Sequence, residues 1–252
     1  MNARGAELFM SLASHHRDWE DMAALDPMWA VLSEPERRNG RWSPDEFFST
    51  GADETARLRE KLLGLGLPDR FESALDFGCG LGRVTRALTV CCREVIGVDI
   101  SQEMAAKAQL FTPACQFICN PNYDLRIFPA DRFDLVYSSR VLQHQRSTKL
   151  ILNHISEFIR VLRPSGIAAF QVPCHIPYLH RIQPRRRMYE LLRGIGLPSR
   201  PLYRIRLTPI CMTSASVESV TSAIKKAGGR VLSADVDDSC RGVSSKFYCA
   251  TK

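Results

Sequence analysis

The chain has 252 residues, 45% of them hydrophobic and 24% charged, which suits a globular protein with a sizeable core and excludes disordered, fibrous and collagen-like classes. No apolar run of about 18 residues is present, so no membrane span is expected; Glu7 breaks the only apolar patch of the first 16 residues, and no secretory signal is read. The formal charge of +7 is concentrated between His175 and Arg206, where eight arginines stand against one acid, Glu190, whereas a general nucleic-acid coat would spread its basicity.

The first 50 residues show helical fragments (6–13 and 19–25) and a charged loop over 35–44, and Leu58, Leu62 and Leu65 predict a helix over 53–65. A regular alternation follows: strands over 73–77, 94–98, 116–119, 133–138 and 167–172, with helices over 83–92, 101–110 and 147–162, the last ended by Arg163-Pro164-Ser165-Gly166. This order predicts a parallel sheet covered on both faces. A basic insert over 174–210 contains a short helix near Arg186–Arg193. A helix over 215–227 follows, then two β segments over 230–236 and 244–250 that can close an antiparallel pair. The nine cysteines are odd in number and form no CxxC pair, so they read as reduced, mostly buried thiols of a cytoplasmic protein, and no metal site is expected.

The chemistry is concentrated in Asp76-Phe77-Gly78-Cys79-Gly80-Leu81-Gly82-Arg83, between a strand and a helix. Its glycines let backbone approach a ligand, and the helix start favours an anionic group. Arg83 stands where the dinucleotide fingerprint needs glycine. Asp76 would repel a pyrophosphate but can receive an ammonium, so a ligand carrying both ammonium and carboxylate fits better than a nicotinamide dinucleotide. Asp99 ends the next strand, 17 residues after Gly82, where a carboxylate can accept two ribose hydroxyls. Ile100 offers a purine an apolar surface.

LDFGCGLGR, VIGVDIS, FDLVYSSRVLQH and VLRPSG, in this order, resemble the successive motifs of class I S-adenosylmethionine-dependent methyltransferases over roughly residues 71–172. The resemblance implies S-adenosyl-L-methionine as cofactor. Asp76, Gly78, Cys79, Gly80 and Arg83 would surround its methionine part, with Asp99 on the ribose and Ile100 on the adenine. Ser138 and Ser139 would lie beneath the methionine backbone, and Phe47, Thr50 and Gly51 would close the site from above. The adenine edge falls to Asn122, to Asp124 or to backbone. Asn120-Pro121-Asn122-Tyr123 is similar to a motif of amino-group methyltransferases, but follows the third strand where that motif follows the fourth; a plain turn explains it.

On the acceptor side, His144 and His175 follow the fourth and fifth strands and are the candidate general bases. Tyr178 and His180 are weaker candidates, and His154 reads as structural. Arg181, Arg185, Arg186 and Arg187 would bind an anionic acceptor or carrier group. The expected architecture is an α/β, doubly wound Rossmann-like sheet, mostly parallel, with a C-terminal antiparallel hairpin. It comprises an N-terminal helical cover over 1–70 and a domain over 71–252 that carries the insert 174–210. The expected function is methyl transfer to an oxygen, nitrogen or carbon of a small or medium-sized metabolite. The alternatives are an RNA or protein methyltransferase docking through the insert, an NAD(P)-dependent oxidoreductase, and a non-enzymatic binding module.

Overall fold

The computed structural model describes residues 3–177, 181–238 and 242–252, with side chains from residue 12 onward. Before the sheet come helices α1 (Ala3–Leu25), α2 (Pro27–Val31) and α3 (Pro44–Gly64). The sheet is built from β1 (Phe71–Phe77), β2 (Cys92–Asp99), β3 (Gln116–Cys119), β4 (Phe133–Ser138), β5 (Leu162–His175), β6 (Arg230–Asp237) and β7 (Ser244–Thr251), in the order β3-β2-β1-β4-β5-β7-β6. The first five strands are parallel, and β7 runs antiparallel between β5 and β6. The connecting helices are α4 (Arg83–Leu88), α5 (Gln102–Phe111), α6 (Thr148–Val161), α7 (Pro184–Gly194), α8 (Ser199–Arg204) and α9 (Val217–Lys226). This is the expected α/β sheet with its C-terminal antiparallel pair. No helix among the described residues is long and apolar enough to cross a membrane.

The two faces follow from strand periodicity. Leu75, Phe77, Val136, Ala168 and Phe170 point to one face and pack with Ile151, Ile155 and Phe158 of α6 and Val220 and Ile224 of α9. Their neighbours Ala74, Leu135, Tyr137, Ile167 and Ala169 point to the other, against Leu58 and Leu62 of α3 and Val84 and Leu88 of α4. Each such buried aliphatic or aromatic side chain stabilises the fold by about 1.5–3 kcal/mol. Strand order reverses between β1 and β4, which opens a crevice at their carboxyl ends.

Several element boundaries differ from expectation: helix α4 stops at Leu88 rather than 92, α8 is an added helix in the insert, and three further differences have a visible cause. The expected N-terminal fragments form one helix, α1. Helix α3 begins nine residues early, because Ser43 and Glu46 form a reciprocal capping box and Pro44 takes the first turn. Strand β5 absorbs Arg163–Gly166, since Leu162 already pairs with Phe133 and the register slips before Leu135; Ser165 takes the strain at φ 65°.

Helix α3 lies very close to α4. A Cβ on Gly51 would stand 2.2 Å from the Arg83 carbonyl oxygen. Gly51→Ala is therefore expected to cost about 1–3 kcal/mol in denaturant unfolding; an unchanged midpoint would show that the two helices are free to separate.

Candidate functional site

The crevice, counted together with the open solvent at its mouth, spans about 1020 Å³. Its floor is the turn after β1. Gly78 and Cys79 both donate their backbone N–H to the Val98 carbonyl, at 2.7 and 3.0 Å, which pins the turn to the end of β2. Gly78 and Gly80 have φ of 75° and 53°, and a Cβ on either would collide with Val141 or Val31 at 2.3–2.5 Å. Helix α4 has only six residues, so it supplies little dipole, and positive charge at this end comes from its first residue, Arg83.

Asp99 ends β2. Its Oδ2 accepts Gly80 N–H and its Oδ1 accepts Ser101 N–H, both at 2.9 Å. Each oxygen keeps further acceptor capacity, and burial raises its pKa. Asp76 is buried with Oδ2 accepting the Thr85 hydroxyl at 2.6 Å, and burial raises its pKa to about 6.

Beside Asp76 lies an ionic cluster centred on Glu54 of α3. The Glu54 carboxylate accepts from Arg83 Nη2 at 2.8 Å, Arg140 Nη2 at 3.3 Å and the Tyr137 hydroxyl at 2.7 Å. Burial pushes the Glu54 pKa up, but the two guanidinium charges and the hydrogen bonds outweigh it, and the net shift is downward. Two cations thus share one carboxylate. The Nε atoms of Arg83 and Arg140 are both buried without a partner, and both residues line the crevice. Each of these donors is open to an acceptor from the crevice, whether an anion or a water. With Asp76 beside them, the crevice end suits a group carrying both carboxylate and ammonium.

The structure brings Asp76, Gly78, Cys79, Gly80, Arg83, Asp99, Ile100, Asn122 and Ser139 to the crevice wall. It leaves others out. Phe47 is fully buried among Trp29, Trp42 and Leu81. Thr50 donates to the Phe47 carbonyl and accepts from Arg83 Nη1 at 3.3 Å. Together with Gly51 they sit on α3 behind Arg83, because that helix starts early, and do not roof the site. Ser138 is buried with its hydroxyl donating to the Phe77 carbonyl at 3.1 Å, inside the sheet. Asn122 lines the crevice with its amide on Asn120 Oδ1 at 3.1 Å, whereas Asp124 does not line it and accepts from the Arg126 N–H.

His144 lines the crevice. Its Nδ1 donates to the Cys211 carbonyl at 2.7 Å, which leaves Nε2 to accept from the Gln143 amide at 3.0 Å; burial lowers its pKa. His175 is exposed at the end of β5 and lies outside the crevice. Tyr178 and His180 fall outside the described residues. His154 reaches the crevice although its Nδ1 donates to the Leu150 carbonyl at 2.9 Å within α6. None of Arg181, Arg185, Arg186 and Arg187 lines the crevice. Arg181 donates to the Ile176 carbonyl and Arg186 pairs with Glu190 at 2.8 Å. The roof comes instead from α1, which places His15 and Trp19 in the wall. Asp18 of α1 pairs with Arg146, and Asp21 pairs with Arg193 at 2.9 Å, so part of the basic insert serves to hold this helix.

Sequence reasoning missed Glu54, Arg140, His15 and Trp19. Glu54 had a signal: it occupies the i−4 position of the Leu58, Leu62 stripe, where an unpartnered acid would be costly.

Removing the central charge should expose its role. Glu54→Gln is expected to destabilise the fold by about 3–5 kcal/mol near neutral pH, by leaving two buried guanidinium groups uncompensated. Because the folded-state pKa of Glu54 is depressed, its contribution is complete above the ordinary glutamate value and is lost as pH falls through the folded value. The gap in stability between wild type and variant should therefore close below about pH 4; a gap independent of pH would assign the effect to packing.

Comparisons with known proteins agree with this geometry. Residues 75–170 match the family model described as a methyltransferase domain. The chain is 33% identical over 132 residues to a trans-aconitate 2-methyltransferase of Azoarcus sp., covering 51% of this chain and 50% of that protein. It is 32% identical over 117 residues to a malonyl-[acyl-carrier protein] O-methyltransferase of Salmonella typhimurium, covering 46% and 44%. The chain thus spans about half the length of the curated relatives it matches. Among solved structures, magnesium protoporphyrin IX methyltransferase from Synechocystis PCC 6803 with bound S-adenosylhomocysteine superposes with a TM-score of 0.59 at 17% identity, over 94% of this chain and 97% of that one, a likeness of fold. The glycine turn, the acid ending β2 and the start of the reversed strand order all lie within or beside residues 75–170, the part of the chain that matches a methyltransferase domain.

Proposed function

We propose that this protein transfers the methyl group of S-adenosylmethionine to an oxygen, nitrogen or carbon of a small molecule. The observation that carries this reading is the pairing, at one end of the crevice, of buried Asp76 with the unpartnered Nε donors of Arg83 and Arg140, while Asp99 stands on the neighbouring strand. The set matches the amino-acid and ribose parts of the cofactor. It fits a dinucleotide badly, because a pyrophosphate would meet Asp76.

When bound, the cofactor supplies a methyl group already activated by its sulfonium. In this reading Asp76 holds the ammonium, Arg83 and Arg140 hold the carboxylate, and Asp99 accepts the ribose hydroxyls. Ile100 and Met104 flank the adenine and Asn122 meets its edge. The protein's main contribution to rate is alignment of the acceptor.

The acceptor lobe is walled by His15, Trp19, Val31, Val141, His144 and Gln145. Burial lowers the pKa of both its histidines, and burial together with the charge of Arg146 takes that of His15 to about 3. His15 Nε2 accepts from Trp19 Nε1 at 3.0 Å, so Nδ1 carries the hydrogen, and Nδ1 and Gln145 Oε1 are both buried without a partner. A donor and an acceptor left open in one wall favour an uncharged acceptor with a hydroxyl or N–H near a carbonyl. His144, its tautomer fixed by Cys211, would take the acceptor's proton at Nε2 once the Gln143 amide yields.

Calorimetry tests the cofactor assignment. Asp99→Ala should weaken S-adenosylhomocysteine binding by more than about tenfold with the fold intact; wild-type affinity would remove Asp99 from the ribose. Affinity should also depend on pH with a defined sign. Asp76 is largely protonated below about 6, and an ammonium partner favours its ionised form. Affinity should rise from pH 5 to 7, by up to about tenfold per unit below pH 6, and the slope should vanish in Asp76→Asn. A slope that persists in that variant would place the titrating group elsewhere. For the acceptor side, uncharged phenols and amides screened by S-adenosylhomocysteine release should yield a substrate. On it, His144→Ala should slow turnover by about 10²–10⁴, and an undiminished rate would exclude His144 from proton transfer.

A further inference from the structure

Helix α7 is mounted with its apolar side outward. Positions 184, 188, 191 and 195 recur at helical spacing on one side. There Met188, Leu191 and Ile195 are 46%, 61% and 69% exposed, and Leu197 in the following turn is 36% exposed. The side turned to the protein body is the polar one. The Tyr189 hydroxyl donates to Asp21 at 2.9 Å, Arg193 pairs with Asp21, and Glu190 receives both Arg146 and Arg186. Ile205, between exposed Arg204 and Arg206, is 65% exposed. Five of the twelve large hydrophobic side chains exposed among the described residues therefore fall between 188 and 205, too concentrated for ordinary surface scatter. Arg181, Arg185, Arg187 and Arg200 are exposed in the same segment, whose one acid, Glu190, is already neutralised.

We propose that this face docks on a lipid bilayer bearing anionic headgroups. Charge complementarity selects the sign: exposed arginines with no free acid among them attract phosphate headgroups, which guanidinium binds through paired donors. The shape selects a bilayer over a protein. A protruding apolar stripe enters the acyl boundary while arginine stems reach back to the headgroups, whereas a protein partner would have to offer a groove matched to side chains that stand out from the surface. Single-stranded RNA would need exposed rings for stacking, and between residues 184 and 206 the two aromatic residues, Tyr189 and Tyr203, are 1% and 5% exposed. The docked face belongs to the same cap as α1, whose His15 and Trp19 wall the crevice.

Co-sedimentation of the full chain with vesicles tests this, using phosphatidylcholine alone and phosphatidylcholine with about one third phosphatidylglycerol. The protein should pellet with the anionic vesicles only, and less so at high salt. Arg185→Ala and Arg187→Ala should each weaken binding roughly fivefold, and Leu191→Asp combined with Ile195→Asp should abolish it. Circular dichroism and S-adenosylhomocysteine affinity should stay unchanged in all of them, which keeps this result separate from the cofactor reading. Absence of vesicle binding, or equal binding to neutral and anionic vesicles, would overturn the proposal. So would a dimer in light scattering that the Leu191/Ile195 variant dissociates, or retention by RNA or an acidic protein but not by vesicles.

Discussion

Everything at the ligand end of the crevice depends on the buried carboxylate of Glu54. It binds groups from three other places in the chain: Arg83 at the head of α4, Tyr137 on β4 and Arg140 just beyond that strand. Because α3 carries it, the helix that precedes the sheet is tied to the carboxyl ends of β1 and β4. Desolvating these charges costs several kcal/mol per ion in principle, and the cluster is tolerable only because both guanidinium groups and the Tyr137 hydroxyl donate to the one carboxylate. The pairing is incomplete by one unit, since two guanidinium groups share one carboxylate. In the proposed reading, that surplus is what would draw the cofactor's carboxylate to this end of the crevice.

The same economy recurs around the crevice. The glycine turn is held by the Val98 carbonyl and by Asp99, so the loop that lines the crevice is fixed by the strand that also carries Asp99. The cover is held in a similar way. Glu20 of α1 accepts the backbone N–H of Glu103 at the start of α5, and Asp18 and Asp21 reach Arg146 and Arg193. Acidic α1 and the basic insert are therefore joined at Asp21, which takes Arg193 and the Tyr189 hydroxyl. This explains why part of the insert's charge points to the protein body and the remainder, with the apolar stripe of α7, points away.

The sheet was legible in the sequence because its signals are local. Strands β1, β2, β3 and β4 were read within about two residues, as expected where apolar runs are bounded by glycine, proline and caps. The C-terminal pair followed from two β segments with a short link. The misreadings came from interactions that local pattern does not contain. Ser165 in a left-handed conformation lets β5 continue through a Pro-Ser-Gly sequence that normally ends an element. Phe47, Thr50 and Gly51 belong to a helix because of the Ser43–Glu46 cap, which puts them behind Arg83. Asp76, Asp99 and the glycines could be placed by motif order. The residues that close the site, Glu54, Arg140, His15 and Trp19, come from segments whose proximity only the tertiary fold creates. His175 illustrates the converse: following a strand is insufficient when β7 covers one edge of it and the side chain turns to solvent.

The surplus of guanidinium charge around Glu54 can be probed with one pair of ligands. Calorimetric titration of the wild-type chain with S-adenosylhomocysteine and with its decarboxylated analogue isolates the carboxylate from the nucleoside. The account predicts that loss of the carboxylate weakens binding by at least about tenfold, the scale of a charge-assisted hydrogen bond to a buried group. Equal affinity for the two ligands would contradict it.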